Sequence, residues 1–259
     1  MAGVIFYSGP SMLDGKPIVA IATIGTRNEK TGPLIQTWIL RRDVSPLAAI
    51  NSGKDSSICG SCPLRGVVER MPKGSKHRTR NRYRACYVTI RNAPEQVWKA
   101  FRRGSYQHVT KLGKSMLRKL GKYALRRGSY GDPVAVPREA WAALEALLKP
   151  GKYPGYTHQW RESAAAGWQP LVMASVQSQA EAVIAQDAGW RTFRVMRTVD
   201  DLASNEILCP ASPEAGNTRT CATCGACDGR RDMADQRKHV AIVGHGSRNA
   251  VLPSLLRIL

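Results

Sequence analysis

Along this chain the apolar residues fall in short blocks, and the spacing within each block changes from place to place. Lys16 to Gly25 (KPIVAIATIG) is a continuous apolar, β-branched run and predicts a strand. Leu34 to Asp43 (LIQTWILRRD) predicts a second, with NEKTGP as the turn between them, so the two form an N-terminal β-hairpin. SPLAAINSG reads as a brief helical turn. Between Arg70 and Arg84 (RMPKGSKHRTRNRYR) cations nearly alternate and no apolar period survives, which predicts a loop. Val109, Leu112, Met116, Leu120 and Tyr123 then recur at helical spacing and predict one amphipathic helix with a cationic opposite face.

After Asp132 the pattern becomes regular. PREAWAALEALLK is a helix with Pro137 at its start. YPGYTHQW is a short strand-like piece, PLVMASV a buried strand, and SQAEAVIAQDAG a helix opened by a Ser178/Glu181 capping box and closed by Gly189. WRTFRVMRT, EILCPAS and HVAIVGHG predict further strands, with a short helical VDDLASN before the second of them. Strands alternating with helices imply parallel βαβ units, and the fold class is α/β: a partial or complete (β/α) barrel with Cys-rich metal-binding loops. The expected organisation is a single domain, in which 1–90 is an N-terminal β and cysteine-containing extension and 105–259 the βα core. Chemistry in such folds gathers where strands end, here GSYGDP, THQW, ASVQS, CPAS and GHG.

Charge changes the picture most. Lys+Arg 39 against Asp+Glu 19 leaves a formal charge of +20. An excess of that size attracts polyanions through counterion release, and nucleic acid is the expected partner, DNA or RNA. The cations are also clustered: Lys73, Lys76, Arg78 and Arg80 in the predicted loop, and Lys111, Lys114, Arg118 and Lys122 on the predicted helix. Both segments are candidate phosphate contacts, or else plain solvated surface. There is no basic leader with an apolar core at the N-terminus and no apolar run near the roughly 20 residues a membrane span requires, so a soluble, cytoplasmic protein is expected. No P-loop nucleotide motif is present.

The 7 cysteines fall in two groups. Cys221, Cys224 and Cys227 form C-x-x-C-x-x-C, with Cys209 just upstream and His239 and His245 downstream. Clustered thiols in a reducing compartment argue for metal, and the set suits tetrahedral zinc or an iron–sulfur cluster. Cys59 and Cys62, with Cys86 further on, supply three ligands: zinc completed by His77, an iron–sulfur cluster with one open iron, or a plain turn beside a buried thiol. Asp132 in GSYGDP and Asp14 in SMLDGK are carboxylates able to act as nucleophile or base, or to cap turns. Tyr156, His158, Gln159 and Trp160 (YTHQW) combine base-stacking rings with an amide able to read a base edge, or form a strand with alternate residues buried.

The order GSYGDP, YTHQW, MASVQS, CPAS, CATCGACDG, VAIVGHG resembles a group of small phage-encoded proteins, most closely over the C-terminal half. It is also similar to the phage DNA-guanine transglycosylases, relatives of the tRNA-guanine transglycosylases. That resemblance implies an α/β barrel with a late zinc site that exchanges guanine in DNA for a 7-deazaguanine base, in the host cytoplasm. Asp132, with Asp14 as the other carboxylate, would serve as nucleophile and base. The family's zinc motif is C-x-C-x-x-C with a distant histidine, whereas this chain has C-x-x-C-x-x-C and an additional triad, Cys59, Cys62 and Cys86.

Overall fold

The computed structural model describes residues 2–25, 28–75, 78–151, 153–232 and 234–244. The chain opens with β1 (Ala2–Pro10), β2 (Pro17–Ile24) and β3 (Ile35–Arg41), an antiparallel meander. The central strand β2 is buried along almost its whole length, which is why its sequence is a continuous apolar run rather than an alternation. The sequence reading did not include β1, although Val4 and Phe6 bury one of its faces.

Two short helices follow: α1 (Pro46–Ser52), capped by Ser45, and α2 (Ser56–Cys59). The basic stretch is a correction to the expected loop. Val67 to Arg70 (β4) and Thr79 to Arg82 (β5) pair antiparallel as a two-stranded ribbon. The ladder uses only backbone groups, so it needs no apolar periodicity in the side chains. Next come α3 (Ala93–Arg102) and β6 (Gln107–His108). The long cationic helix is a second correction: a 3-10 turn covers Val109–Lys111, the chain extends at Leu112, and α4 runs only from Lys114 to Leu120. Gly113 interrupts the periodic pattern and stands as the N-cap of the shorter helix.

β7 (Leu125–Tyr130) lies parallel beside β3, giving a five-stranded sheet of order β6-β1-β2-β3-β7. Strands from before residue 90 and after residue 105 therefore share one sheet. The remaining elements are α5 (Arg138–Glu145), β8 (Tyr156–Thr157), β9 (Met173–Val176), α6 (Gln179–Asp187), β10 (Thr192–Met196), β11 (Glu206–Leu208), α7 (Cys221–Cys224) and β12 (His239–Val243). The five strands among them form a parallel sheet of order β11-β12-β10-β9-β8. The fold is mixed α/β, and among the described residues the strands make two open five-stranded sheets rather than a closed barrel. One parallel bridge, Arg127 to Gly155, joins the edge of the first sheet to the segment entering β8. The main core runs through both, from Val4 and Ile21 to Val172 and Val176. Among the described residues no helix is long and apolar enough to cross a membrane.

Candidate functional site

A cavity of about 200 Å³ opens at the carboxyl ends of the parallel strands. Each of the five strand-end motifs contributes to its wall: Asp132, His158, Ser175, Cys209 and Gly244. Strand alternation selects the rest. On β10, Phe193 and Val195 face the cavity, while Thr192, Arg194 and Met196 are buried elsewhere. Tyr156 and His158 face it, while Thr157 and Gln159 between and beside them are fully buried. The Tyr156 and Phe193 rings pack with centroids 4.2 Å apart, forming an aromatic wall. Arg126 and Lys30 also line it, and Arg126 donates to the Tyr87 hydroxyl at 2.6 Å.

Asp132 stands at the end of β7 and is 6% exposed. Its Oδ1 accepts from Val134 N at 3.1 Å and Thr157 Oγ1 at 2.8 Å, and its Oδ2 from His158 N at 2.8 Å and, more weakly, Gln159 Nε2 at 3.4 Å. Its own N–H donates to Ile58 O at 2.6 Å. The carboxylate thus caps the turn after β7 and ties it to β8, while the backbone N–H ties it to α2. Burial pushes its pKa up to about 6, against the opposing pull of the four donors. Gly131 is required beside it: φ is +84°, and a Cβ would stand 2.7 Å from Ile39 Cβ. Burial lowers the pKa of His158 to about 4, so the ring is neutral at pH 7.

Gln159 connects Asp132 to the first cysteine pair. Its Oε1 accepts from Ser61 N and Ser61 Oγ, both at 3.1 Å, and its Nε2 donates to Cys59 O at 2.9 Å. Cys59, Cys62 and Cys86 all line the same cavity. The second thiol group is seated where the sheets meet. Cys221 N donates to Lys30 O at 3.1 Å, Gly155 N to Cys227 O at 3.1 Å, and Cys209 N to Ala241 O at 2.8 Å. Behind it, buried Arg191 donates to Ala226 O, Asp228 O and Lys238 O. Cys209 and Cys221 also line the cavity, with Lys30 and Arg126 close by. Burial raises the pKa of both and pushes that of Cys227 up to about 12. All seven cysteines are free thiols. Among the described residues no three His, Cys, Asp or Glu side chains stand as ready ligands around one point.

Several expected site residues lie elsewhere. Asp14 holds a turn, accepting from Lys16 N and Ser57 Oγ, and is not on the cavity wall. Gln159 and Trp160 are buried and do not face it; their place is taken by the alternating partners Tyr156 and His158. His239 accepts from Thr192 N at 3.1 Å and so is a satisfied histidine of β12. His245 and Lys76 fall outside the described residues, as does His77. Lys111, Lys114, Arg118 and Lys122 are exposed around α4, which leads into the amino end of β7, whereas Asp132 leaves its carboxyl end. Lys73, Arg78 and Arg80 are exposed on the β4–β5 ribbon, rooted between Cys62 and Cys86 in the cavity wall. Among the seven cations from Lys111 to Arg127, Arg127 pairs with Glu145 at 2.7 Å.

Sequence reasoning missed Tyr130, Arg126 and Lys30. Arg126 lay in a stretch read as the tail of a helix and Tyr130 in the strand-end motif GSYGDP, and β-strand alternation from Arg126 through Gly128 to Tyr130 is the signal that places them on one face. Compared with family models, with curated proteins and with solved structures, the chain matches none.

Proposed function

We propose that this chain is a DNA-acting enzyme that exchanges guanine for a 7-deazaguanine base, with the cavity as its reacting site. The observation that carries the reading is the convergence on one cavity of a buried carboxyl, an aromatic wall and two cations, with a basic ribbon rooted at its edge. Lys73, Arg78 and Arg80 on the ribbon grip the sugar–phosphate backbone, and the target base leaves the stack to enter the cavity. The wall made by Tyr156 and Phe193 packs against one side of its ring. Asp132 attacks C1′ through Oδ2, the oxygen whose second donor is the long bond from Gln159. The C1′–N9 bond breaks with its electron pair, and guanine takes up a proton. The incoming base then displaces Asp132 and gives up a proton, so the exchange is proton-neutral overall.

Two further parts belong to the same reading. The sheets, joined at the Arg127–Gly155 bridge, are taken as an incomplete (β/α) barrel. Cys209, Cys221, Cys224 and Cys227 supply four thiols on one loop cluster, a donor set that fits zinc, which would brace the loops and take no part in the reaction.

The test is release of labelled guanine from duplex DNA in the presence of a 7-deazaguanine base. Asp132→Asn should abolish release and leave DNA binding intact. Because Asp132 also braces three backbone segments, circular dichroism and a second variant accompany it. Arg78→Ala/Arg80→Ala on the exposed ribbon should flatten the salt dependence of DNA binding by up to about 2 in log–log slope. Release that survives in a folded Asp132→Asn protein overturns the mechanism.

A further inference from the structure

The first cysteine group has features that base exchange does not use. Cys59 ends α2, Gly60 takes a φ of +52°, and Cys62 N turns back to Cys59 O at 3.1 Å. Leu64 then works in both directions. Its N–H hydrogen-bonds the Cys62 sulfur, and its carbonyl accepts from Ala85 N at 3.1 Å and Cys86 N at 3.0 Å. The 20 residues between, including the ribbon, form a closed excursion that returns Cys86 to the side of Cys62.

Three other observations concern what surrounds the thiols. All three line the cavity. Arg84, a permanent cation, is buried close to Cys86, Cys59 and Tyr130. Tyr130 is 3% exposed and lines the same cavity, yet its hydroxyl has no hydrogen-bond partner. A buried phenol without a partner is costly and marks a place where something else supplies one.

We propose that Cys59, Cys62 and Cys86 form a three-thiolate site for a soft metal centre, zinc(II) or an iron–sulfur cluster, whose exchangeable position opens into the cavity beside Tyr130. Three protein ligands with one open position is the arrangement of reactive centres, whereas four thiols close a structural one. A dication with Arg84 and Arg65 would balance three thiolates and the Asp55 carboxylate that both guanidiniums approach. Among the described residues the three sulfurs do not stand as ready ligands around one point, so binding requires the side chains to reorient. For zinc, three S–H bonds break, three metal–sulfur bonds form and three protons leave to solvent, with no change of oxidation state. The Tyr130 hydroxyl then donates to whatever occupies the open position.

The site goes beyond the base-exchange reading, and its test needs no nucleic acid, so either can fail alone. Cobalt(II) is titrated anaerobically into the full-length chain and into the Cys59→Ser/Cys62→Ser/Cys86→Ser variant. The parent should take up one more equivalent, with thiolate-to-cobalt absorption. Should the triple variant not fold, iodoacetamide mapping of the parent gives the answer: cobalt should slow alkylation of these three thiols by at least about tenfold. Tyr130→Phe should keep the uptake and shift the visible cobalt bands. Metal analysis of the chain as purified separates the two kinds of centre, since either iron with acid-labile sulfide or one equivalent of zinc should be lost from the triple variant, while zinc on the four later cysteines stays. Equal cobalt uptake by parent and triple variant, or unchanged alkylation of the three thiols, overturns the assignment.

Discussion

Gln159→Leu isolates the link between the cysteine turn and the carboxyl. The side chain is 1% exposed, and leucine is of similar size, so the substitution removes polar bonds without opening a large void. Two bonds to backbone are lost, the one from Ser61 N and the one to Cys59 O; of the other two, Ser61 Oγ keeps its bond to Glu162 and the 3.4 Å bond to Asp132 is weak. Neither backbone loss leaves an isolated buried group, because Ser61 is exposed to water and Cys59 O keeps its bond from Cys62 N. The cost is then two net hydrogen bonds at about 1 kcal/mol each, or about 2 kcal/mol. Since α2 and the turn hold few other ties to β8, that loss should appear as local opening. About 2 kcal/mol is about a thirtyfold larger opening constant. The assay is alkylation by iodoacetamide under native conditions, read residue by residue by mass spectrometry. Cys59 and Cys62 should react about thirtyfold faster, and Cys227, held by Gly155 and the Arg191 cluster, at the parental rate. Unchanged labelling of Cys59 and Cys62, or equal acceleration of Cys227, would refute the local clamp.

Two further outcomes follow from buried charge. Asp132 has a pKa of about 6 in the folded chain against about 3.9 when unfolded, so the folded state binds the extra proton between those values. Its contribution is therefore complete below about pH 4 and lost as pH rises through 6, a fall of about 3 kcal/mol. Urea unfolding across that range should show the decline in the parent and a flatter profile in Asp132→Asn; identical slopes would remove Asp132 as the cause. Arg194 and Glu206 form a buried pair at 2.5 Å beneath β12, and Glu206→Ala leaves the guanidinium unmatched at a cost of about 3–5 kcal/mol. Arg194→Met/Glu206→Leu should recover most of it, and a double variant as unstable as the single would show that the loss comes from packing instead.

The local sequence was enough for elements whose pattern is decided within a few residues. The β-branched runs of β2, β3, β9, β10 and β12 sit where their apolar spacing puts them. The Ser178 cap and Gly189 bracket α6, because capping and a positive φ are properties of single positions. All five strand-end motifs reach the cavity, since parallel strands connected by crossovers must present their carboxyl ends on one side. Elements with weak or misleading periodicity were lost. Ribbon β4–β5 is held by backbone pairing alone, and Gly113 cut the helix that Val109 to Tyr123 seemed to spell out.

What the sequence could not contain is which face meets which. That Asp132 binds Thr157, His158 and Gln159, and not Asp14, depends on β7 ending beside β8. That Cys59, Cys62 and Cys86 share a wall with Tyr130 depends on Leu64 and on the register of β7 against β3. The sequence by itself determined the residue types, their clustering and the excess of positive charge. Only the tertiary structure brought two thiol groups 100 or more residues apart to one cavity, because strand pairing and core packing between distant segments are set by the whole chain's burial rather than by any local pattern.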